Sequence, residues 1–220
     1  EISNLNPLIK NIQRPYTVFM GGAKVADKIG VIDNLLPKCD KLLIGGGMAY
    51  TFFKAKGYEI GTSLCEDDYI QTAKEIMDKA KELNKTLYLP IDNVVADKFD
   101  NDANKKIVDC NAIPSGWMGM DVGDKTLKEI ENILKNAKTI VWNGPLGVFE
   151  MSNFAKGTFE TAKFIANSGA VSIIGGGDSV SAVNKSGVAD KMTHISTGGG
   201  ASLEFLEGIE LPGIKVLQDK

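Results

Sequence analysis

The chain has 220 residues, with 25 Lys plus Arg against 28 Asp plus Glu, a formal net charge of −3 and 43% hydrophobic residues. That balance argues against a nucleic-acid binder, which would carry a basic excess, and no apolar run approaches the ~20 residues of a membrane span or the pattern of a signal peptide. Cys39, Cys65 and Cys110 stand singly and His194 is the one histidine, so neither a disulfide framework nor a zinc or multi-histidine centre is expected, and a reducing cytoplasm fits.

In chain order, Ile2, Leu5, Leu8, Ile9 and Ile12 recur at helical spacing up to Arg14-Pro15. A chain that opens inside such a pattern reads as cut from something longer. Residues 16–20 form a short buried strand, Gly21-Gly22 its turn, and Val25, Ile29, Ile32 and Leu36 one face of a helix closing near Pro37. Residues 41–44 are a second strand, followed by Gly45 to Gly47 and a helix carrying Tyr50, Phe52 and Phe53. The stretch 66–83 is helical, with acids first and lysines last, as the helix dipole favours. Residues 86–89 are a third strand, 91–96 a possible extra one, 97–106 a polar turn and 107–110 a minor strand, while 117–123 read as a loop. Helix 124–137 leads to strand 139–142, helix 154–166 to strand 170–174, and a helix after Gly177 to strand 193–196 and a last short helix. Short apolar strands alternating with amphipathic helices predict a three-layer α/β fold: one doubly wound, mostly parallel, six-stranded, Rossmann-like sheet in a single domain.

Five glycine-bearing turns follow five of these strands: Gly21-Gly22, Gly45 to Gly47, Gly144 with Gly147, Gly175 to Gly177, and Gly198 to Gly200. Glycine makes up 24 of the 220 residues, about 11% against a usual ~7%. In a parallel sheet the strand carboxyl ends share one edge, where ligands bind. Any single run is explained by a tight turn; five together point to a crevice lined by backbone, suited to phosphate. Neither G-x-G-x-x-G nor a Walker A loop occurs, which argues against a standard dinucleotide fold, an NAD-dependent dehydrogenase or a P-loop NTPase. Lys24 and Lys28, four apart where a helix begins, sit against its dipole, a placement that favours anion binding over two ordinary surface lysines. Asp178 is readable either as a helix N-cap or as an acidic group beside the glycine amides.

The motifs 21–28 (GGAKVADK), 44–49 (IGGGMA), 116–121 (GWMGMD), 141–150 (VWNGPLGVFE), 175–179 (GGGDS) and 194–202 (HISTGGGAS) together closely resemble phosphoglycerate kinase, in the family's order. They match its C-terminal, nucleotide-binding half. The resemblance implies a helix joining to a missing N-terminal domain over 1–14, a nucleotide-binding α/β domain over 15–208 and a C-terminal tail over 209–220. It further implies reversible, Mg-dependent phosphoryl transfer between ATP and the carboxylate of 3-phosphoglycerate, in a cytoplasmic glycolytic enzyme that is monomeric at full length. Carried over, Lys24 would meet the transferring phosphoryl group and Lys28 the nucleotide phosphates. Asp178 would hold Mg²⁺ and Glu150 the ribose. Gly45, Gly46, Gly119, Met120, Pro145 and Val148 would form the adenine and ribose slot. Asn143, with the backbone of Gly176, Gly177 and Ser179, would cradle phosphate, and Gly177 and Gly200 would offer amides during transfer. Ser179 and Met120 stand where the family more often has Thr and Leu. The basic patch that holds 3-phosphoglycerate is absent, and Arg14 is the sole arginine. Binding of ADP or ATP without turnover is therefore expected; a stand-alone nucleotide-binding regulatory module is the alternative. His194 is expected to satisfy a strand-end hydrogen bond, Trp142 to be core, Trp117 a loop anchor and the cysteines small hydrophobes.

Overall fold

The computed structural model describes residues 10–196. The 1–14 helix up to residue 9, the turn containing Gly200 and the 209–220 tail lie outside the described residues.

Strands β1 (Tyr16–Met20), β2 (Lys41–Ile44), β3 (Thr86–Tyr88), β7 (Thr139–Asn143), β8 (Val171–Gly175) and β9 (His194–Ile195) form one sheet in the order β3-β2-β1-β7-β8-β9. Every pairing in it is parallel. Because side chains alternate along a strand, neighbouring residues feed opposite faces. Val18, Met20, Leu42, Ile44, Val141 and Ile173 pack on one face beneath α1 (Ile29–Leu35), α2 (Met48–Ala55) and α3 (Ile70–Glu82). Phe19, Leu43, Ile140, Trp142 and Ile174 pack on the other beneath α4 (Asp124–Asn136), α5 (Lys156–Asn167) and α6 (Gly177–Lys185). The three expected layers are thus present. Helix α4 shows why the sequence gives them: Leu127, Ile130 and Leu134 recur at three and four residues and are its buried apolar positions, with charged residues on the outer face.

The structure adds a second sheet. Strands β4 (Asp92–Ala96), β5 (Lys105–Asp109) and β6 (Met118–Val122) pair antiparallel in the order β5-β4-β6. This corrects the loop expected over 117–123 and shortens the polar turn of 97–106. β6 contains Gly119 and a single β-branched residue, and its pairing with β4 shifts register between Val94 and Val95, so its strand state comes from a distant partner rather than local propensity. Two buried carboxylates tie this sheet to the helices. Asp92 accepts the Lys125 and Thr126 amides of α4 at 3.1 and 2.9 Å, and Asp121 accepts the Gly157 amide of α5 at 2.9 Å. Each sets a carboxyl acceptor at the amide-bearing, positive end of a helix.

Candidate functional site

The sheet order reverses between β1 and β7, and ligands of open α/β sheets bind outside the carboxyl ends of the strands at such a point. Three turns meet there in backbone contact. The Gly21 amide donates to Asn143 O at 2.8 Å, Gly22 to Pro145 O at 2.8 Å, and Met48 to Gly22 O at 3.0 Å. Gly46 has φ +68°, and a Cβ on it would lie 2.6 Å from the Gly22 N, the Gly22 O and the Pro145 O. The missing side chain is therefore needed first by the protein's own crossing turns.

A cleft of about 770 Å³ opens beside these turns. Gly46, Gly119, Met120, Pro145, Val148, Glu150 and Asp178, all named from sequence, line it. So do Tyr50, Thr62, Leu64, Phe99, Met118, Leu146 and Met151, which sequence reasoning missed. Leu64 and Phe99 are 53% and 63% exposed; exposed apolar side chains on a cleft are a signal only once the fold is known. Most of the lining is apolar, and Glu150 and Asp178 supply its carboxylates. The Met118–Met120 stretch of β6 and the 145–148 loop are joined by a bond from the Val148 amide to Met120 O at 2.9 Å. Gly45 does not line the cleft; a Cβ there would press on the Phe19 ring at 3.2 Å and on Leu146 at 3.3 Å.

Asp178 is joined to a polar corner. Gly176, with φ +84°, is the N-cap of α6, so Asp178 lies inside the first turn rather than at the cap, with its side chain exposed. Gly177 has open space where a Cβ would stand. The Ser179 hydroxyl is buried and accepts the Gly144 amide at 2.6 Å, so its side chain fixes the turn. Asn143 ends β7 fully buried; its Oδ1 accepts Lys28 Nζ, while its Nδ2 has no partner among the described residues. A buried donor left open beside a helix N-terminus suits an incoming anion. Burial pulls the Lys28 ammonium below the ordinary lysine value, with Asp27 and Asp178 pushing it back up.

Lys24 and Lys28 do not share a helix face. A single 3₁₀ turn over Ala26–Lys28 precedes α1, and Lys24 lies before it, exposed, while Lys28 is half-buried at its end. His194 sits in β9, and its buried Nε2 has no partner among the described residues. Trp142 is fully buried, as expected, and donates to Gly144 O at 2.7 Å. Trp117 is half-buried just ahead of β6, with Lys106 Nζ 4.3 Å from its ring. Cys39 is buried, Cys65 and Cys110 are half-buried, and all three are free thiols. Among the described residues no helix is long and apolar enough to cross a membrane, and no group of three or more His, Cys, Asp or Glu could hold a metal ion.

The family model described as phosphoglycerate kinase matches residues 1–209. The chain is 60% identical to the phosphoglycerate kinase of Limosilactobacillus reuteri subsp. reuteri (strain JCM 1112), covering all of this chain and 54% of that protein. It is also 60% identical to that of Clostridium botulinum (strain Hall), covering 55% of it. Among solved structures, phosphoglycerate kinase from Coxiella burnetii superposes with a TM-score of 0.96 at 44% identity, over 99% of this chain and 56% of that one. The chain thus spans about half the length of the relatives it matches. With a match that extends through both sheets and every turn of the cleft, the chain belongs to the phosphoglycerate kinase family.

Proposed function

We infer that this chain is the nucleotide-binding half of a phosphoglycerate kinase, a cytoplasmic glycolytic enzyme that exchanges a phosphoryl group reversibly between Mg-ATP and the carboxylate of 3-phosphoglycerate. The observation that carries this reading is the polar corner beside an apolar cleft: Lys28 on Asn143, and the Asn143 Nδ2 and the space at Gly177 in the first turn of α6, both left unfilled among the described residues. An apolar slot ending in oriented donors matches a base at one end and phosphates at the other.

In this reading Gly46, Gly119, Met120, Pro145 and Val148 enclose adenine and ribose, Gly45 supports them from behind, and Glu150 accepts the ribose hydroxyls. Lys28, Asn143 and the amides of Gly177, Asp178 and Ser179 hold the phosphates, with Gly176 turning the chain so that these amides face outward. Phosphoryl transfer asks mainly for such positioned positive charge, not for a strong base. The exposed Lys24 is free to reach the transferring group, with Gly177 and Gly200 giving amides to it. The donor set fits a divalent ion brought by the nucleotide: Asp178 provides one carboxylate, and phosphates and water the remaining ligands. Bound Mg²⁺ would neutralise charge on the phosphate oxygens. Residues 1–14 join, and 15–208 form, this half, with 209–220 as a tail. Holding 3-phosphoglycerate falls to the part of the relatives' length beyond this chain, and so does turnover, because proximity is a large share of the catalysis.

A thermal shift tests the binding role. Ligand at about 100 times its dissociation constant stabilises by about 2.7 kcal/mol, which for a domain of this size raises the melting temperature by roughly 5–11 °C. ADP or ATP with Mg²⁺ is expected to give this rise and NAD none. No rise with any adenine nucleotide would reject the reading.

A further inference from the structure

Asp121 is 2% exposed and lies directly behind the cleft, one residue past Met120. Its Oδ1 accepts the Val122 amide at 2.8 Å and its Oδ2 the Gly157 amide, in the first turn of α5, at 2.9 Å. A Cβ on Gly147 would fall 2.4 Å from its Oδ1, and one on Gly157 2.2 Å from the same atom. The carboxyl group therefore fills the space that two glycines leave, one on the cleft-lining 145–148 loop and one on the helix start. Beside it, the Val148 amide bonds to Met120 O.

We propose that Asp121 is the positioning residue of the nucleoside slot, locking the Gly147–Val148 loop and the start of α5 to the Gly119–Met120 strand from behind. This rests on the nucleotide reading of the cleft. Ionisation strengthens the bond to Gly157, because hydrogen bonds to a charged acceptor are roughly twice as strong as neutral ones, and the start of α5 so fixed holds the loop through Thr158 Oγ1, which accepts the Leu146 amide at 3.1 Å. Burial pushes its pKa up to about 7, against the amides of Gly157 and Val122 and the charges of Lys156 and Lys105, which pull it down. Lys156 is itself engaged by Asp124 at 2.7 Å, and Tyr50 feels the Asp121 charge from α2. Stability and affinity then respond to pH with opposite signs. A raised carboxyl pKa gives stability that is present at low pH and lost as pH rises toward 7, whereas the slot tightens over the same rise. A merely structural carboxylate gives the first effect without the second.

The test uses adenosine, which has no phosphate and no group titrating near neutrality, and measures its affinity by calorimetry from about pH 6 to about pH 8, the window spanning a group near 7. The wild-type chain is expected to bind about fivefold tighter at the upper end. Asp121→Asn, uncharged throughout, is expected to bind weakly with a flat profile; His194 remains in both proteins, so the difference belongs to Asp121. If Asp121→Asn does not fold, the ionisation midpoint of Asp121 in the wild type, followed by carboxyl-carbon NMR, is expected to drop on adding adenosine, and an unchanged midpoint overturns the proposal. Adenosine binding with the same profile in both proteins also overturns it, leaving the nucleotide reading intact. Failure of adenosine and of ADP to bind at every pH overturns both.

Discussion

Lys28 and Asp178 stand at the two sides of the same corner but do different work. Lys28 is half-buried and held by Asn143, and its ammonium is already less stable than in water. A phosphate arriving beside it restores a charge partner, so Lys28→Ala is expected to weaken ADP binding by about 1.5–3 kcal/mol, the worth of a hydrogen bond to a charged group. Neither lysine lines the cleft, but Lys24 is exposed where Lys28 is held against Asn143, so Lys24→Ala should leave ADP affinity nearly unchanged while depressing kcat in a complete enzyme. Titration calorimetry on both variants separates them, and equal losses would contradict the assignment. Asp178 is already inside the first turn of α6, so its side chain is not needed as a cap. Asp178→Ala is expected to weaken Mg-ADP much more than metal-free ADP. Equal losses with and without Mg²⁺ would remove Asp178 from metal binding.

At the scale of elements, the strands and helices that carry local periodicity were legible in the sequence, and those that depend on distant partners were not. Most of the parallel strands are apolar runs that lead into glycine turns, and α4 announces itself through Leu127, Ile130 and Leu134. β6 is held by β4 across a shifted register and carries Gly119 where a strand former would be expected. The candidate site divided in the same way. Glycines, lysines and Asp178 mark strand ends, but Leu64 and Phe99 reach the cleft from loops whose course no local pattern gives, and Asp121 matters only because Gly147 and Gly157 fold against it. The crossing turns supply their own test. Gly46→Ala puts a Cβ 2.6 Å from three backbone atoms at a left-handed φ. The conformation alone costs roughly 1–2 kcal/mol, and displacing Gly22 and Pro145 adds to it. Denaturant unfolding should therefore show a loss above this range together with weaker ADP binding; a loss below about 1 kcal/mol would mean that the turns are not in contact.

Across the whole molecule, the six-stranded sheet supplies one edge and the small antiparallel sheet supplies the Met118–Met120 side of the cleft, the small sheet being tied to the helices by Asp92 of β4, which accepts from α4, and Asp121 of β6, which accepts from α5. On the proposed reading, this arrangement binds and orients a nucleotide by itself. The crystal structure of this chain grown with Mg-ADP tests that claim most directly. The account predicts adenine between the Met118–Met120 stretch and the 145–148 loop, phosphates on Lys28, Asn143 and the first turn of α6, and the cation on Asp178. A nucleotide bound elsewhere on the chain, or a cleft that stays empty at saturating Mg-ADP, would contradict it.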